Sequence, residues 1–205
     1  MIHIMRMDKV YSEASAILIA VAGQKLSHGL PEAGYTARDP QYSATIGGTR
    51  LIWTFGDPRL QITRSRWSRR GWTYQECLLS RRCIYFIEQR VYYECRSMHQ
   101  CESLCVPYWP SRPTDKDNYI QRQVWRRRGI FLRDTEWDMS HFLGLLSAYC
   151  ERELTYDSDI LKAFLGVLGL YRVSEEGFRH FYGVPLLQPA VRDHDNTRPN
   201  RRLFF

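Results

Sequence analysis

The sequence predicts a mixed α/β fold, and three observations carry that reading. A helical segment, Met5–Ala14, runs straight into the continuous β-favouring stretch Ala16–Ala22, which Gly23 closes. A tryptophan-bearing helix within Trp67–Arg82 runs into two β-rich segments separated by Glu88-Gln89. Further on, two amphipathic segments are joined by a connection short enough to pack them side by side.

In the first segment, Met7, Val10, Tyr11 and Ala14 recur at helical spacing and so define one side. Apolar residues occur from the first position with no cap before them, so the start of this helix is expected to lie upstream. The run Ile17-Leu18-Ile19-Ala20-Val21 has no polar residue, the pattern of a strand buried on both faces. Gly23 to Gly48 reads as a long loop punctuated by glycine and proline, with no phosphate-binding glycine fingerprint. Arg50–Phe55 reads as a short strand and Gly56-Asp57-Pro58 as a turn.

Ser65 is placed to cap the tryptophan-bearing segment. A glycine inside a helix costs about 1 kcal/mol relative to alanine, so the helix is expected to begin at Gly71, with Trp67–Arg70 as a preceding turn. On that helix Trp72, Gln75, Glu76 and Leu79 share a face that is apolar at both ends and acidic in the middle. Cys83–Ile87 and Arg90–Cys95 then form a hairpin, although Glu-Gln is poor chemistry for a tight turn. Ser97–Arg133 is polar and proline-containing and reads as a surface excursion. The helix over Trp137–Glu153 carries Phe142, Leu145, Leu146 and Tyr149; the next, over Asp159–Tyr171, presents Ile160, Phe164, Val167, Leu168 and Tyr171 behind a cap at Ser158 or Asp157. Beyond Pro185 the periodicity stops, and a frayed tail is expected.

Hydrophobic residues at 44% and charged residues at 25% of the 205 argue for a globular chain rather than a disordered one. A net charge of +7 permits an anionic partner without demanding one. The Arg126–Arg128 tract beside Trp125 lacks any recognised DNA-binding pattern, so no specific nucleic-acid partner is expected. No secretory signal and no apolar run long enough for a membrane span is visible, so a cytoplasmic chain with its six cysteines as reduced thiols is expected. Cys95, His99, Cys101 and Cys105 are chemically able to bind zinc, but their C-x3-H-x-C-x3-C spacing lacks the paired knuckle, and no metal is expected. No Gly-x-Ser-x-Gly elbow exists, and no cysteine–histidine pairing recommends a thiol nucleophile.

Met7-Asp8-Lys9-Val10-Tyr11, the strand Ile17–Gly23, the string Arg70-Gly71-Trp72-Thr73-Tyr74-Gln75-Glu76-Cys77-Leu78-Leu79-Ser80-Arg81-Arg82 and Val91-Tyr92-Tyr93-Glu94-Cys95 together resemble the second half of a fungal heterokaryon incompatibility (HET) domain. Tyr149–Gly166 resembles the segment that usually comes after it. The resemblance implies a partial HET domain over 1–97, an irregular basic linker over 98–136, a post-HET helical pair over 137–185 and a disordered tail over 186–205. The family's opening motifs (an acidic Trp-Val-Asp type and a Cys-Ile-Asp-Gln type) have no counterpart here. A truncated copy is therefore expected, with an incomplete sheet-and-helix layer similar to Toll/interleukin-receptor (TIR) domains.

The resemblance implies a signalling and interaction module of fungal allorecognition and programmed cell death, acting through protein partners and homo-oligomerisation. In TIR domains that cleave NAD, a Trp-Cys-x-x-Glu helix carries the catalytic glutamate, and Trp72-Thr73-Tyr74-Gln75-Glu76 keeps that spacing. By that likeness Glu76 is the candidate catalytic residue and NAD the candidate substrate, with Trp67, Arg70, Trp72 and Gln75 as candidate binding residues. A carboxylate so placed could stabilise an oxocarbenium-like transition state as nicotinamide leaves. The plainer readings are an ion pair between Glu76 and Arg70, Arg81 or Arg82, and indoles that belong to the core. The non-catalytic module is the favoured reading; the NAD hydrolase and an inactive gene fragment are the alternatives.

Overall fold

The computed structural model describes residues 7–23, 25–95, 98–103, 139–174 and 179–186. The expected irregular linker over 98–136 is not irregular at its start, where His99–Cys101 forms a strand of the main sheet; its residues 104–136, with Arg126–Arg128 and Cys105, and the expected tail beyond 186 lie outside the described residues. The architecture is mixed α+β. Helix α1 (Met7–Glu13) leads into strand β1 (Ile17–Ala20), as the sequence predicts. The four-stranded sheet has the order β1-β4-β5-β6, with β4 at Arg82–Phe86, β5 at Val91–Cys95 and β6 at His99–Cys101. β1 runs parallel to β4, and the other pairs are antiparallel. The β4–β5 hairpin closes around Glu88-Gln89, with Ile87 N–H donating to the Arg90 carbonyl at 3.0 Å.

Two strand expectations need correction. β1 is not buried on both faces: Ile19 is 2% exposed, yet Leu18 next to it is 61% exposed. Among the described residues β1 sits at the end of the sheet, and Trp67 and Cys77 meet the sheet at Tyr85, on the face that Ile19 shares. Its apolar composition therefore does not report two covered faces. Within the expected long loop lies β2 (Ser43–Ile46), which pairs with β3 (Thr49–Ile52) through a Gly47-Gly48 turn. Both glycines have positive φ, 56° and 79°, the conformation a type I′ hairpin turn demands.

Gly56-Asp57-Pro58 is more than a turn. Asp57 is the N-cap of α2 (Pro58–Thr63), accepting from Arg59 N–H at 3.0 Å, and Pro58 takes the first helical position. Ser65 caps the single-turn α3 (Arg66–Arg69), and α4 spans Trp72–Leu79 with Gly71 at its N-cap position, so the predicted break falls where expected. The Thr73 hydroxyl staples the two helices, in contact with the carbonyls of Trp67 at 2.6 Å and Arg70 at 2.8 Å.

Helix α5 (Met139–Cys150) buries Phe142, Leu145 and Tyr149, as its spacing predicts. The second predicted helix differs in its first half. Asp157–Asp159 and Lys162–Phe164 form 3₁₀ turns, and α6 begins only at Leu165, running to Ser174. Neither Asp157 nor Ser158 acts as a side-chain cap, and Ile160 is exposed, whereas Phe164, Val167, Leu168 and Tyr171 are buried. A further hairpin, β7 (Arg179–Phe181) with β8 (Val184–Leu186), has no counterpart in the sequence pattern.

One continuous core joins the sheet side to the later helices. The Tyr74 ring on α4 stacks on Phe164 (6.4 Å between centroids) and lies 5.9 Å from Tyr149, and its hydroxyl donates to the Leu145 carbonyl at 2.9 Å. The Tyr149 hydroxyl, whose pKa burial pushes up to about 12, donates to the Ile160 carbonyl at 2.5 Å.

Candidate functional site

Glu76 occupies the middle of α4, a helix buried on nearly every side; its own side chain and that of Trp72 are the partly open positions. Helix spacing explains this, because positions 72 and 76 are one turn apart and lie over each other. Two groups from other elements reach the carboxyl. The Tyr11 hydroxyl of α1 donates to Oε1 and the Trp67 indole Nε1–H of α3 donates to Oε2, each at 3.4 Å. Both contacts are long for hydrogen bonds. Glu76 thus ties α4 to the helix before it and to α1.

Burial is the main influence on this carboxyl and raises its pKa above the ordinary carboxylate value; the Trp67 indole, the charge of Arg70 and the Tyr11 hydroxyl pull the other way. Burial and the Glu76 charge also push the Tyr11 hydroxyl up. The expected ion pair is not formed. Among the described residues no arginine comes within salt-bridge distance of Glu76, and Arg70 acts on it only through its field. Arg82 instead donates to the Ser15 carbonyl at 3.1 Å.

The other candidate residues do not converge on one opening. Trp67 packs edge-on against Tyr85, with ring centroids 5.9 Å apart, and Trp72 packs against the core. Arg70 is exposed and carries the bridge to Glu153. Gln75 is 1% exposed, and its Oε1 lies 2.8 Å from where a Cβ on Gly166 would stand, so it faces α6. Its Nε2 has no hydrogen-bond partner among the described residues. The structure therefore brings Trp67 and Glu76 together, adds Tyr11, and points Gln75 elsewhere. In the sequence Tyr11 shows only as a member of a helical face; its pairing with residue 76 is tertiary.

A second polar cluster lies against the covered face of the sheet. Asp57 grips the Arg59 guanidinium at 2.9 and 2.7 Å, and Glu94, 2% exposed, adds its charge to the same guanidinium. Burial, then Glu94, pushes the Tyr92 hydroxyl up. Beside it Arg90, 1% exposed, donates through Nη1 to the Thr54 carbonyl and through Nη2 to that of Gly56 at 3.0 Å and, longer, that of Phe55 at 3.4 Å. Nothing in the sequence singles out Arg90, because a lone arginine after a hairpin turn looks like any solvated one.

Cys77, Cys83, Cys95, Cys101 and Cys150 form no disulfide, and the Cys77 sulfur lies 2.9 Å from the Tyr85 hydroxyl. Among the described residues no group of histidine, cysteine, aspartate and glutamate is arranged to hold a metal, and no helix is long and apolar enough to cross a membrane. No curated protein and no solved structure matches the chain. A family match spans residues 1–76, from before α1 to the Glu76 carboxyl, and the stretch holds Tyr11, Trp67, Arg70, Trp72 and Gln75. Over those residues the chain matches the family model described as Heterokaryon incompatibility protein (HET).

Proposed function

We propose that the chain is a non-catalytic interaction module of heterokaryon-incompatibility type, working in the cytoplasm of a fungal cell through protein contacts that lead to growth arrest or death. The family match over residues 1–76 supports an incompatibility-type role in general. The observation that carries the non-catalytic part is the state of Glu76. Its two oxygens are engaged by Tyr11 and Trp67 from its own chain, and Gln75 faces another helix. A carboxyl held this way between three helices serves as a latch. A glycosyl-transfer centre would need it to face the sugar, with aromatic walls free to stack on the base, whereas both indoles pack against the core.

The test is inducible expression of the chain and of Glu76→Gln in a fungal host, with NAD followed in cells and with purified protein. The substitution keeps the shape and an acceptor oxygen for one donor. The expected result is equal toxicity for both chains with NAD unchanged. NAD turnover by the purified chain that disappears in Glu76→Gln would overturn the reading and assign Glu76 the role of an NAD hydrolase.

A further inference from the structure

The chain after β1 crosses one end of the main sheet, from the end of β1 past the β4–β5 turn to the end of β6, and two glutamates fasten it there. The first is Glu88, in the β4–β5 turn. Its Oε1 accepts from Gly23 N–H at 2.8 Å, and its Oε2 lies 3.2 Å from Nε2 of His28, which closes a 3₁₀ turn over Leu26–His28. The second is Glu102, just past β6. Its Oε2 accepts from Arg38 Nη1 at 2.6 Å and from Val91 N–H at 2.8 Å, and Glu32 stands 3.4 Å from the same guanidinium.

The backbone is shaped for the first fastening. Gly23 has φ 72°, and a Cβ there would fall inside the His28 ring, so glycine is what lets the imidazole lie against this backbone. His28 N–H donates to the Lys25 carbonyl at 3.1 Å, and the His28 carbonyl accepts from the Thr36 hydroxyl, which ties the turn to the residues after it. The His28 and Glu88 side chains are 31% and 46% exposed, so water screens the pair in part.

The two fastenings answer differently to a proton. Nε2 of His28 makes no hydrogen bond among the described residues, so a neutral ring gains no bond from Glu88, whereas an imidazolium gains an ion pair. Glu88 is its one ion-pair partner among the described residues, and Lys25, the nearest cation along the chain, is exposed. An imidazole changes charge between about pH 5 and 8, a window in which carboxylates and guanidinium groups ordinarily keep theirs.

We infer that residues 25–36 form a pH-sensitive strap, drawn onto the β4–β5 turn while His28 is charged and loosened as pH rises past neutrality, with Arg38 as the point that stays fastened. Holding an imidazolium against Glu88 favours the closed strap, so its protection is full on the acid side of the window and declines as the ring loses its proton. A partly exposed pair of this kind shifts an opening equilibrium by about two- to fivefold. The fastening stands at the carboxyl ends of the parallel strands β1 and β4, the edge at which open α/β sheets bind ligands, so loosening it changes access to that edge.

The experiment is amide hydrogen exchange on the full chain at about pH 5.5 and about pH 8, corrected for the intrinsic pH dependence of exchange and read by mass spectrometry. Protection within 25–36 should fall about two- to fivefold from the acid to the alkaline condition, beyond any change within 82–95. His28→Gln should abolish the difference. Glu88→Gln, which keeps an acceptor for Gly23 N–H, should abolish it too. Equal protection of 25–36 at both pH values in the wild-type chain overturns the inference, and so does a fall shared equally by 82–95. A fall of undiminished size in Glu88→Gln also overturns it, because the proton would then act elsewhere. Glu76 lies outside both substitutions, so either result leaves the reading of that carboxyl where it stands.

Discussion

Replacing Gly71 by alanine is the most informative single change, because sequence and structure give it opposite signs. By helix propensity a glycine near the start of a helix is a weakness worth up to about 1 kcal/mol, so alanine should stabilise. The backbone raises no objection, since φ at Gly71 is −61°. Space does. A Cβ at position 71 would stand 2.6 Å from Cδ2 and 2.9 Å from Cγ of Leu154. Leu154 cannot retreat freely. Gly71 N–H donates to the Glu153 carbonyl at 2.8 Å, Glu153 N–H donates to that of Arg69 at 2.7 Å, and the Arg152 guanidinium binds the Ser68 carbonyl with its carbon 4.3 Å from the centre of the Tyr74 ring. Overpacking of this kind costs about 1–3 kcal/mol, and at an N-cap alanine is no improvement on glycine. Gly71→Ala should therefore destabilise by about 1–3 kcal/mol in chemical denaturation of the purified chain. In a Leu154→Ala background the same change should cost less than about 0.5 kcal/mol, the difference being the coupling of the two sites. A stabilised Gly71→Ala, or equal costs in both backgrounds, would refute the close approach and with it the docking of 152–154 on the α3–α4 junction.

The remaining predictions concern Gly166, Arg90 and Glu76. Gly166→Ala places a Cβ 2.7 Å from Leu79 Cδ1 and 2.8 Å from Gln75 Oε1; it should cost about 1–3 kcal/mol and be partly relieved by Gln75→Ala, read by thermal unfolding of the single and double variants. Arg90→Ala strands the carbonyls of Thr54, Phe55 and Gly56 and should cost about 3 kcal/mol or more, with faster proteolysis within 43–56; unchanged cleavage there would remove Arg90 as the anchor of the hairpin. The raised pKa of Glu76 means that the native chain holds this proton more tightly than the unfolded chain does. Its contribution to stability is then full below the unfolded value of about 4.3 and is lost as pH rises through the native one. The stability of wild type relative to Glu76→Gln should fall over that window, and a difference independent of pH would show that the carboxyl is not desolvated.

Local signals in the sequence are strong where one residue settles the backbone. Ser65, Gly71 and the β-rich runs around Glu88-Gln89 each announce an element that the structure contains. They fail where two readings of one residue compete. Asp57-Pro58 is both a turn signal and a helix start, and only the Asp57 side chain accepting from Arg59 N–H selects the second. Asp157-Ser158-Asp159 looks like a cap for a long helix, but that stretch closes as 3₁₀ turns, beyond which Phe164 packs on Tyr74 and Tyr149. The candidate site shows the same division. The spacing from Trp72 to Glu76 can be read, and so can the choice between a paired and an available carboxylate. The partner cannot: nearby arginines are the first candidates for an acid in sequence, yet they are long, exposed and well solvated. The groups that reach Glu76 are the Tyr11 hydroxyl and the Trp67 indole, amphipathic side chains whose apolar bodies are already drawn to the α1–α3–α4 junction. Packing places the aromatic rings first, and the carboxyl takes the polar tips that packing leaves within reach; one acid beside four arginines in a string is therefore weak evidence for an ion pair when tyrosine or tryptophan lies on an adjoining face.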